Sequence, residues 1–389
     1  MDILTRNSRL FATYMMTFLY ALHCGIPMYA ISSYLSGIFG TTFTSVLYLL
    51  AGISTIIIST RITKYLKHFH NFSFTRNIVV AQIFVTIGLG MTHNNFMLGL
   101  LFIVYFILSS LIFTSLNVFL ESFSDHAEMG QMRGVFFTLF NLGFLVSPFL
   151  GGLIIAKAGF TSLFVISSFI LIPFLFFLYR YLNKTKDPHF VSINLLQAFK
   201  KAWRNKNTRG ALIAIILLEC FFAMTIIYLP IYLATLGIPL TTYLTAILPI
   251  ALIPLVIMPY ELGIIADTKL GEKELLILGL LILALSSFAM AVVTSSNILL
   301  WIVILTMSRI GASFVETMAY TYYYKKINPE DLGLTNLFSN VRTFGLVLTS
   351  MFAIVFSPLI IMYPTIIFIM LGVILIWGVL QAMPIKDTL

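Results

Sequence analysis

Long apolar runs, separated by short polar breaks, follow one another along almost the whole chain. Each run is close to the roughly 20 residues that a helix needs to cross the hydrocarbon core of a bilayer. The runs in the first half are numbered spans 1 to 6: Leu10–Leu35, Phe43–Leu66, Ile78–Met91, Phe96–Phe123, Val135–Ile155 and Phe160–Leu182. Those in the second half are spans 7 to 12: Ala211–Leu236, Tyr243–Ala266, Leu275–Val293, Ile298–Tyr324, Leu332–Phe356 and Pro364–Leu380. The pattern predicts an all-α integral membrane protein with 12 transmembrane helices.

Composition agrees with this prediction and argues against a soluble domain and against nucleic-acid binding. The 389 residues are 60% hydrophobic and only 10% charged, which is too apolar for a soluble domain of this length. The net charge of +9 does not indicate nucleic-acid binding, because the basic residues flank the spans. Cys24 and Cys220 lie inside apolar runs and therefore predict neither a disulfide nor a redox compartment.

The basic residues also predict an orientation. If the connections are numbered alternately, nearly all loop lysines and arginines fall on one side and Lys157 alone on the other. Because basic residues in short loops are retained in the cytoplasm, both termini are expected there, in a multi-pass protein of the cell membrane. Arg6 and Arg9 then orient span 1, which is too long for the apolar region of a secretory signal.

A weak internal repeat divides the chain into two six-helix bundles, residues 1–182 and 210–389. Leu22-His23-Cys24 in span 1 matches Leu218-Glu219-Cys220 in span 7. At a similar offset, Gly134 and Asn141 in span 5 match Gly333 and Asn340 in span 11. Between the bundles, residues 183–209 form a basic linker that we expect on the cytoplasmic side.

Within this linker, apolar residues recur at helical spacing among basic ones. The apolar positions are Ile193, Leu196, Phe199, Ala202 and Trp203, and the interspersed basic ones are Lys200, Lys201 and Arg204. This spacing is typical of an amphipathic helix lying on an anionic leaflet. A solvated linker without such a helix is the alternative.

Ionisable residues inside spans are the functional candidates, because a charge in hydrocarbon costs several kcal/mol unless it faces a cavity or a partner. The candidates are His23 in span 1, Glu121 in span 4, Glu219 in span 7, Glu261 in span 8, Arg309 and Glu316 in span 10, and Arg342 in span 11. Spans 3, 6, 9 and 12 carry none away from their ends. We therefore expect every third helix to face lipid and the others to enclose a wet interior.

Depth and spacing suggest roles for these residues. Glu316 and Arg342 lie at similar depth and could pair, either to lock a conformation or to contact substrate. Arg309 is too deep to reach the membrane surface, which favours a binding or gating role. His23 and Glu219 are related by the repeat and are expected to face each other, although His23 could instead be a packing residue. Glu121 sits near the cytoplasmic end, where contact with a loop cation is an alternative to a role in transport.

The connection between spans 8 and 9 resembles the loop signature of the major facilitator superfamily. Gly263, Asp267, Gly271 and Lys273 match its glycine, aspartate, glycine and basic positions. The glycines would permit close helix approach and a tight turn, and Asp267 could accept hydrogen bonds from a helix N-terminus. The loop after span 2, Arg61–His68, lacks the first copy of this signature, so a standard gate is not expected in the first half.

Span 5 strengthens the resemblance. Gly143, Pro148, Gly151 and Gly152 are similar to the pattern that proton-coupled exporters of the family carry there, where it permits tight packing and bending. Ordinary helix packing explains such glycines equally well. Spans 1 to 3 lack the midplane carboxylate of many such exporters, so coupling would fall to His23, Glu219, Glu121 or Glu316.

The resemblance implies a monomeric secondary transporter that works by alternating access, without a cofactor or a metal. Proton-coupled efflux of a small amphipathic compound is our first hypothesis, and Asn141 joins the charged residues as a candidate for binding or coupling. Uptake of an anionic metabolite, suggested by Arg309 and Arg342, and a non-transporting receptor are the alternatives. An enzyme is not expected, because the sequence has no phosphate loop, zinc motif or nucleophile elbow.

Overall fold

The structure is a computed structural model in which the described residues form helices joined by turns and short loops, with no β-strand among them. The described residues are 3–61, 70–123, 129–183, 185, 195–326, 337 and 341–386. The helices of the first half are α1 Ile3–Met28, α2 Ile31–Ser59, α3 Asn71–Met91, α4 Asn95–Ser122, α5 Met129–Phe169 and α6 Leu171–Tyr181. Those from the linker onwards are α7 Leu195–Arg204, α8 Lys206–Ile227, α9 Leu229–Thr235, α10 Leu240–Thr242, α11 Leu248–Leu252, α12 Pro254–Ile265, α13 Gly271–Val292, α14 Ile298–Lys326, α15 Val341–Val355, α16 Ser357–Met362 and α17 Ile366–Ala382.

These helices account for the twelve predicted spans. Within the described residues, eight helical stretches are long and apolar enough to cross a membrane. Two of them, Asn7–Ser59 and Met132–Tyr181, have 53 and 50 residues, which is about twice the length that one crossing needs. Gly40 and Gly159, both with φ of 75°, interrupt these stretches and divide each into two spans. The shorter apolar helices α15 and α17 supply spans 11 and 12, so the predicted fold class is confirmed.

Proline explains why several spans consist of two consecutive helices. Pro173, Pro230, Pro254 and Pro358 each lie one to three residues after a break between two helices. A proline lacks the N–H donor, and its ring clashes with the carbonyl of the residue four positions earlier, so the preceding helix ends there. The next helix begins at once, and the span continues.

Span 8 is the most irregular of the described spans. It starts as α10, passes through a π-helical turn at Tyr243–Ile247, continues as α11 and α12, and ends in a second π-helical turn at Ala266–Leu270. Pro249 and Pro254 follow the first turn and remove backbone donors from the ladder. The second turn coincides with the loop signature.

Contacts group the chain into two compact units. One contains Met1–Tyr34 and Leu50–Ser192, and the other contains Leu35–Leu49 and Ile193–Leu389. The first unit has a core rich in buried aromatic rings, among them Phe119, Phe136 and Phe174. In the second unit, Trp301 and Tyr243 are among the largest fully buried side chains.

Candidate functional site

An ion pair joins spans 7 and 11 inside the second unit. Arg342 Nε of α15 lies 3.5 Å from Glu219 Oε2 of α8, and only 5% of the glutamate side chain is exposed. The two helices approach closely at Gly345, where an added Cβ would lie 2.5 Å from Glu219 Cβ. Cys220 reinforces the contact, since its thiol donates to the Gly345 carbonyl at 3.6 Å. Only glycine at this position lets the carboxylate and the guanidinium meet.

Glu316 completes a cluster of three charges. It lies on α14, partly buried, and interacts electrostatically with both Glu219 and Arg342. The sequence predicted a pair of Glu316 with Arg342; the ion pair in the structure is instead formed by Glu219, the residue assigned to face His23. Two carboxylates therefore lie within electrostatic reach of one guanidinium, and this arrangement can accommodate one added proton without leaving an unbalanced charge.

Arg309, on the same helix as Glu316, is almost fully buried. Its Nη2 donates a hydrogen bond to Thr225 Oγ1 at 3.2 Å, and its guanidinium carbon lies 5.4 Å from the ring centroids of both Phe221 and Phe222. Two aromatic faces and a hydroxyl thus surround the cation, which is the environment that stabilises a guanidinium away from water. The sequence predicted the depth of Arg309, and the structure adds its partners on span 7.

His23 belongs to a hydrogen-bonded network in the first unit. Its Nδ1 lies 2.8 Å from the Ser167 carbonyl oxygen, and its Nε2 lies 3.1 Å from Gln82 Nε2. Gln82 also donates to Ser109 Oγ at 2.9 Å. Since the Ser167 carbonyl oxygen can only accept, Nδ1 carries a proton and donates it there. These contacts give His23 the surroundings of a packing residue joining spans 1, 3 and 6.

Two further candidates of the first unit are more accessible. Glu121 Oε1 accepts a hydrogen bond from Arg133 Nη2 at 3.1 Å, in a pair whose side chains are 44% and 33% exposed. Asn141 on α5 is exposed. The contact of Glu121 with a cation near the end of its span is the simpler of the two roles considered for it.

The loop signature adopts the turn that its second glycine permits. Gly271 has φ of 73° and is the first residue of α13, directly after the π-helical turn. At Gly263 no close helix approach is seen among the described residues, since an added Cβ there would meet no atom within 4 Å. Lys273 is partly buried on α13, and the side chain of Asp267 lies outside the described residues.

An ion pair beside this signature was not predicted. Lys325 Nζ, at the end of span 10, lies 2.5 Å from Glu272 Oε1, and the glutamate side chain is only 1% exposed. Both residues lie at span ends, where a charge is ordinary in sequence, so only the packing of α13 against α14 reveals the pair. A close contact supports that packing, since a Cβ added to Gly279 would lie 2.9 Å from the Gly311 carbonyl oxygen.

Small residues of span 5 bring it close to span 1. A Cβ added to Gly143 would lie 2.6 Å from Ala21 Cβ, and one added to Gly151 would lie 2.7 Å from the Ile26 carbonyl oxygen. Pro148 and Gly152, between and beside them, are also buried. Span 5 passes Pro148 without a break in α5. The pattern therefore forms the packing surface of this helix pair.

No metal centre accompanies these residues. Among the part of the chain that the structure describes, no group of three or more His, Cys, Asp or Glu side chains could hold a metal ion. The charged side chains described above interact with one another in groups of two or three.

Comparison with known proteins identifies the family of this chain. The sequence profile of the Major Facilitator Superfamily matches residues 13–349, most of the chain. A comparison with curated proteins found no match. Among solved structures, similarity extends to a bacterial homolog of the human lysosomal transporter Spinster in an inward-facing and occupied conformation, with a TM-score of 0.77, 12% identity, and coverage of 99% of this chain and 97% of that one.

A second solved structure gives the same result. A variant of the nucleoside transporter NupG aligns with a TM-score of 0.73 and 13% identity, over 97% of this chain and 99% of that one. At such identities the likeness shows the fold, and the profile match shows the family. The chain belongs to the major facilitator superfamily, as a multi-pass membrane transporter of alternating-access type and not an enzyme.

Proposed function

We propose that this protein is a proton-coupled exporter of a small amphipathic compound, acting as a monomer in the cell membrane with both termini in the cytoplasm. The proposal assigns residues 1–182 and 210–389 to its two moving halves and residues 183–209 to their linker. The observation that carries it is the cluster of Glu219, Glu316 and Arg342 in the second unit.

The charges of this cluster favour proton coupling. With both carboxylates ionised and the arginine charged, the three groups carry a net negative charge inside an apolar helix bundle, which is costly. Uptake of one proton leaves a neutral acid beside a balanced ion pair. A conformation that exposes the cluster to water favours the ionised form, and one that closes over it favours the protonated form. Protonation therefore shifts the balance between the two states.

The apolar surroundings favour an amphipathic substrate. Phe221 and Phe222 place aromatic faces next to Arg309 on the same span that carries Glu219. A compound with an aromatic or aliphatic body and one polar group would find matching chemistry along this span. The span 5 pattern of Gly143, Pro148, Gly151 and Gly152 supports export, because it is similar to that of proton-coupled exporters in this family.

The test is transport into proteoliposomes with an imposed pH gradient, using a panel of labelled amphipathic amines and neutral aromatics. We expect gradient-driven flux in the parent protein and its loss in Glu219→Gln or in Glu316→Gln. Glu121→Gln is the matched control, because this glutamate is also paired with an arginine but lies outside the cluster. Undiminished flux in both cluster variants would refute the coupling mechanism.

Uptake of an anionic metabolite is the second candidate, favoured by the buried guanidinium of Arg309. In vesicles of known orientation, competition by carboxylates or phosphates, together with its loss in Arg309→Gln, would support uptake over export. Ligand binding without any substrate-dependent flux would instead indicate a receptor on the same scaffold.

A further inference from the structure

The second unit has a basic surface at the end where span 7 begins. α7 directly precedes this span. The face of α7 that packs against the protein carries Ala198 and Ala202, which are both buried. Thr208 Oγ1 donates to the Ala202 carbonyl at 2.8 Å and fastens α7 to the start of α8. α7 is therefore a fixed part of the second unit, with one face against protein and the others turned outward.

The outward faces of α7 combine aromatic and basic side chains. Phe199 and Trp203 stack with their centroids 5.4 Å apart, and 43% of Trp203 is exposed. One residue further along each turn, Lys200 and Arg204 are exposed as well. Since residues four apart lie on the same helix face, an aromatic strip runs directly beside a basic strip.

Three lysines from separate segments join this surface. The backbone N–H of Lys386, after span 12, donates to Asn207 Oδ1 at 3.1 Å, next to Lys206 at the start of span 7. The Lys386 carbonyl accepts from Tyr322 Oη at 2.6 Å, and Lys326 Nζ lies 5.5 Å from the Tyr322 ring centroid. Lys206, Lys326 and Lys386 are all exposed.

Among the described residues, the two glutamates of α13 do not balance this positive charge. Glu272 is nearly fully buried and paired with Lys325, and Glu274 is exposed one turn into α13. The basic side chains of the surface are Lys200, Arg204, Lys206, Lys326 and Lys386. They lie at the ends of apolar spans. A ligand with an anionic head and a hydrocarbon tail would therefore match the positive charge with its head and the apolar spans with its tail.

We propose that α7, together with Lys206, Lys326 and Lys386, binds the headgroup of an anionic phospholipid. The phosphate contacts the cationic side chains, and the Phe199–Trp203 pair lies at the level of the glycerol backbone, where amphipathic rings are favoured. The occupant fixes α7 and the start of α8, between three and four turns before Glu219. This lipid site does not depend on the substrate or on proton coupling.

The test uses Trp203 as a reporter in proteoliposomes that contain brominated lipids, which quench nearby tryptophan fluorescence. The Trp203 signal is the difference between the parent protein and Trp203→Phe. We expect brominated phosphatidylglycerol to quench it at least threefold more strongly than brominated phosphatidylcholine at equal mole fraction. The combined variant Lys200→Gln/Arg204→Gln/Lys386→Gln should lose this preference, while Lys157→Gln should keep it.

A second measurement covers the case in which the combined variant does not fold. Phosphatidylglycerol adducts retained on the intact parent protein in native mass spectrometry should exceed phosphatidylcholine adducts, and inorganic phosphate should not displace them. Equal quenching by the two lipids overturns the proposal, and so does an unchanged preference in the folded combined variant. Displacement by inorganic phosphate would show a simple anion site and also overturn it. None of these readouts involves transport, so a failure here leaves the proposed export function untouched.

Discussion

Arg309 shows how a single buried charge is stabilised by its neighbours. Its guanidinium lies beside the rings of Phe221 and Phe222 and donates to Thr225, so three residues within two turns of span 7 contact one residue of span 10. The contact ties together two spans that carry the charge cluster. Arg309 therefore has a structural role whatever its role in substrate binding.

Thr225→Val tests the polar part of this contact. The substitution keeps the shape of the side chain and removes the acceptor of the Arg309 hydrogen bond, so we expect a loss of about 1 kcal/mol in stability. Thermal unfolding in detergent measures it. The control is Thr245→Val, since that hydroxyl bonds only to the Thr241 carbonyl of its own helix turn, and its midpoint should hardly change. Equal shifts in the two variants would contradict the assigned role of Thr225.

Arg342 and Glu219 should show strong coupling. Arg342→Gln leaves the buried Glu219 carboxylate without its cation; because the Arg342 side chain is itself 56% exposed, we expect a loss of about 1–3 kcal/mol. Adding Glu219→Gln removes the stranded charge and should recover most of that loss. A double-mutant cycle on unfolding midpoints measures the coupling, and additive effects would show that the two side chains do not act as a pair.

At the scale of the helix, the pairing of spans 1 and 5 depends on small residues. Two glycines of α5 differ in their surroundings: an added Cβ at Gly143 would clash with Ala21, whereas one at Gly134 meets no described atom within 4 Å. Packing density, and not the mere presence of glycine, therefore decides which positions resist substitution.

Gly143→Ala and Gly134→Ala form a matched pair in one helix. Overpacking at Gly143 should cost about 1–3 kcal/mol, because the clash involves the backbone of α1 as well as a side chain. Gly134→Ala should be neutral or stabilise by up to about 1 kcal/mol, since alanine favours the helix. Unfolding midpoints of the two purified variants compare them, and an equal loss would show that the α1–α5 contact is looser than described.

The number and type of the elements followed from hydropathy, because a continuous apolar run of about 20 residues satisfies its own backbone groups in a bilayer as a helix. The choice of partners did not follow. Glu219, Glu316 and Arg342 are all visible in sequence as charges in spans, but whether Arg342 meets Glu219 depends on the close approach at Gly345, which is a tertiary contact. Glu272 and Lys325 escaped prediction for the same reason. Gly263 has no such close contact among the described residues, because a glycine permits a contact and does not create one.

At the scale of the whole molecule, the distribution of basic residues predicts sidedness. Lys157 is exposed and adjoins the turn at Gly159, and it should lie on the outer side. Lys157→Cys should react with a membrane-impermeant maleimide in intact cells, while Lys326→Cys should react only after permeabilisation. Removal of Cys24 and Cys220 suppresses background labelling. Labelling of both positions in intact cells, or the reverse order, would contradict cytoplasmic termini.

The turn at Gly159 also constrains how the protein is made. Within α5 only Gly159 has non-helical backbone angles, with φ of 75° and ψ of −176°, so an L-amino acid with a Cβ would strain the chain there by about 1–3 kcal/mol. Because no loop separates the two spans, one cannot enter the membrane before the other. They are therefore expected to insert together as one hairpin. Lengthening this connection would let them insert separately, and the order of insertion would then become a source of misassembly during synthesis.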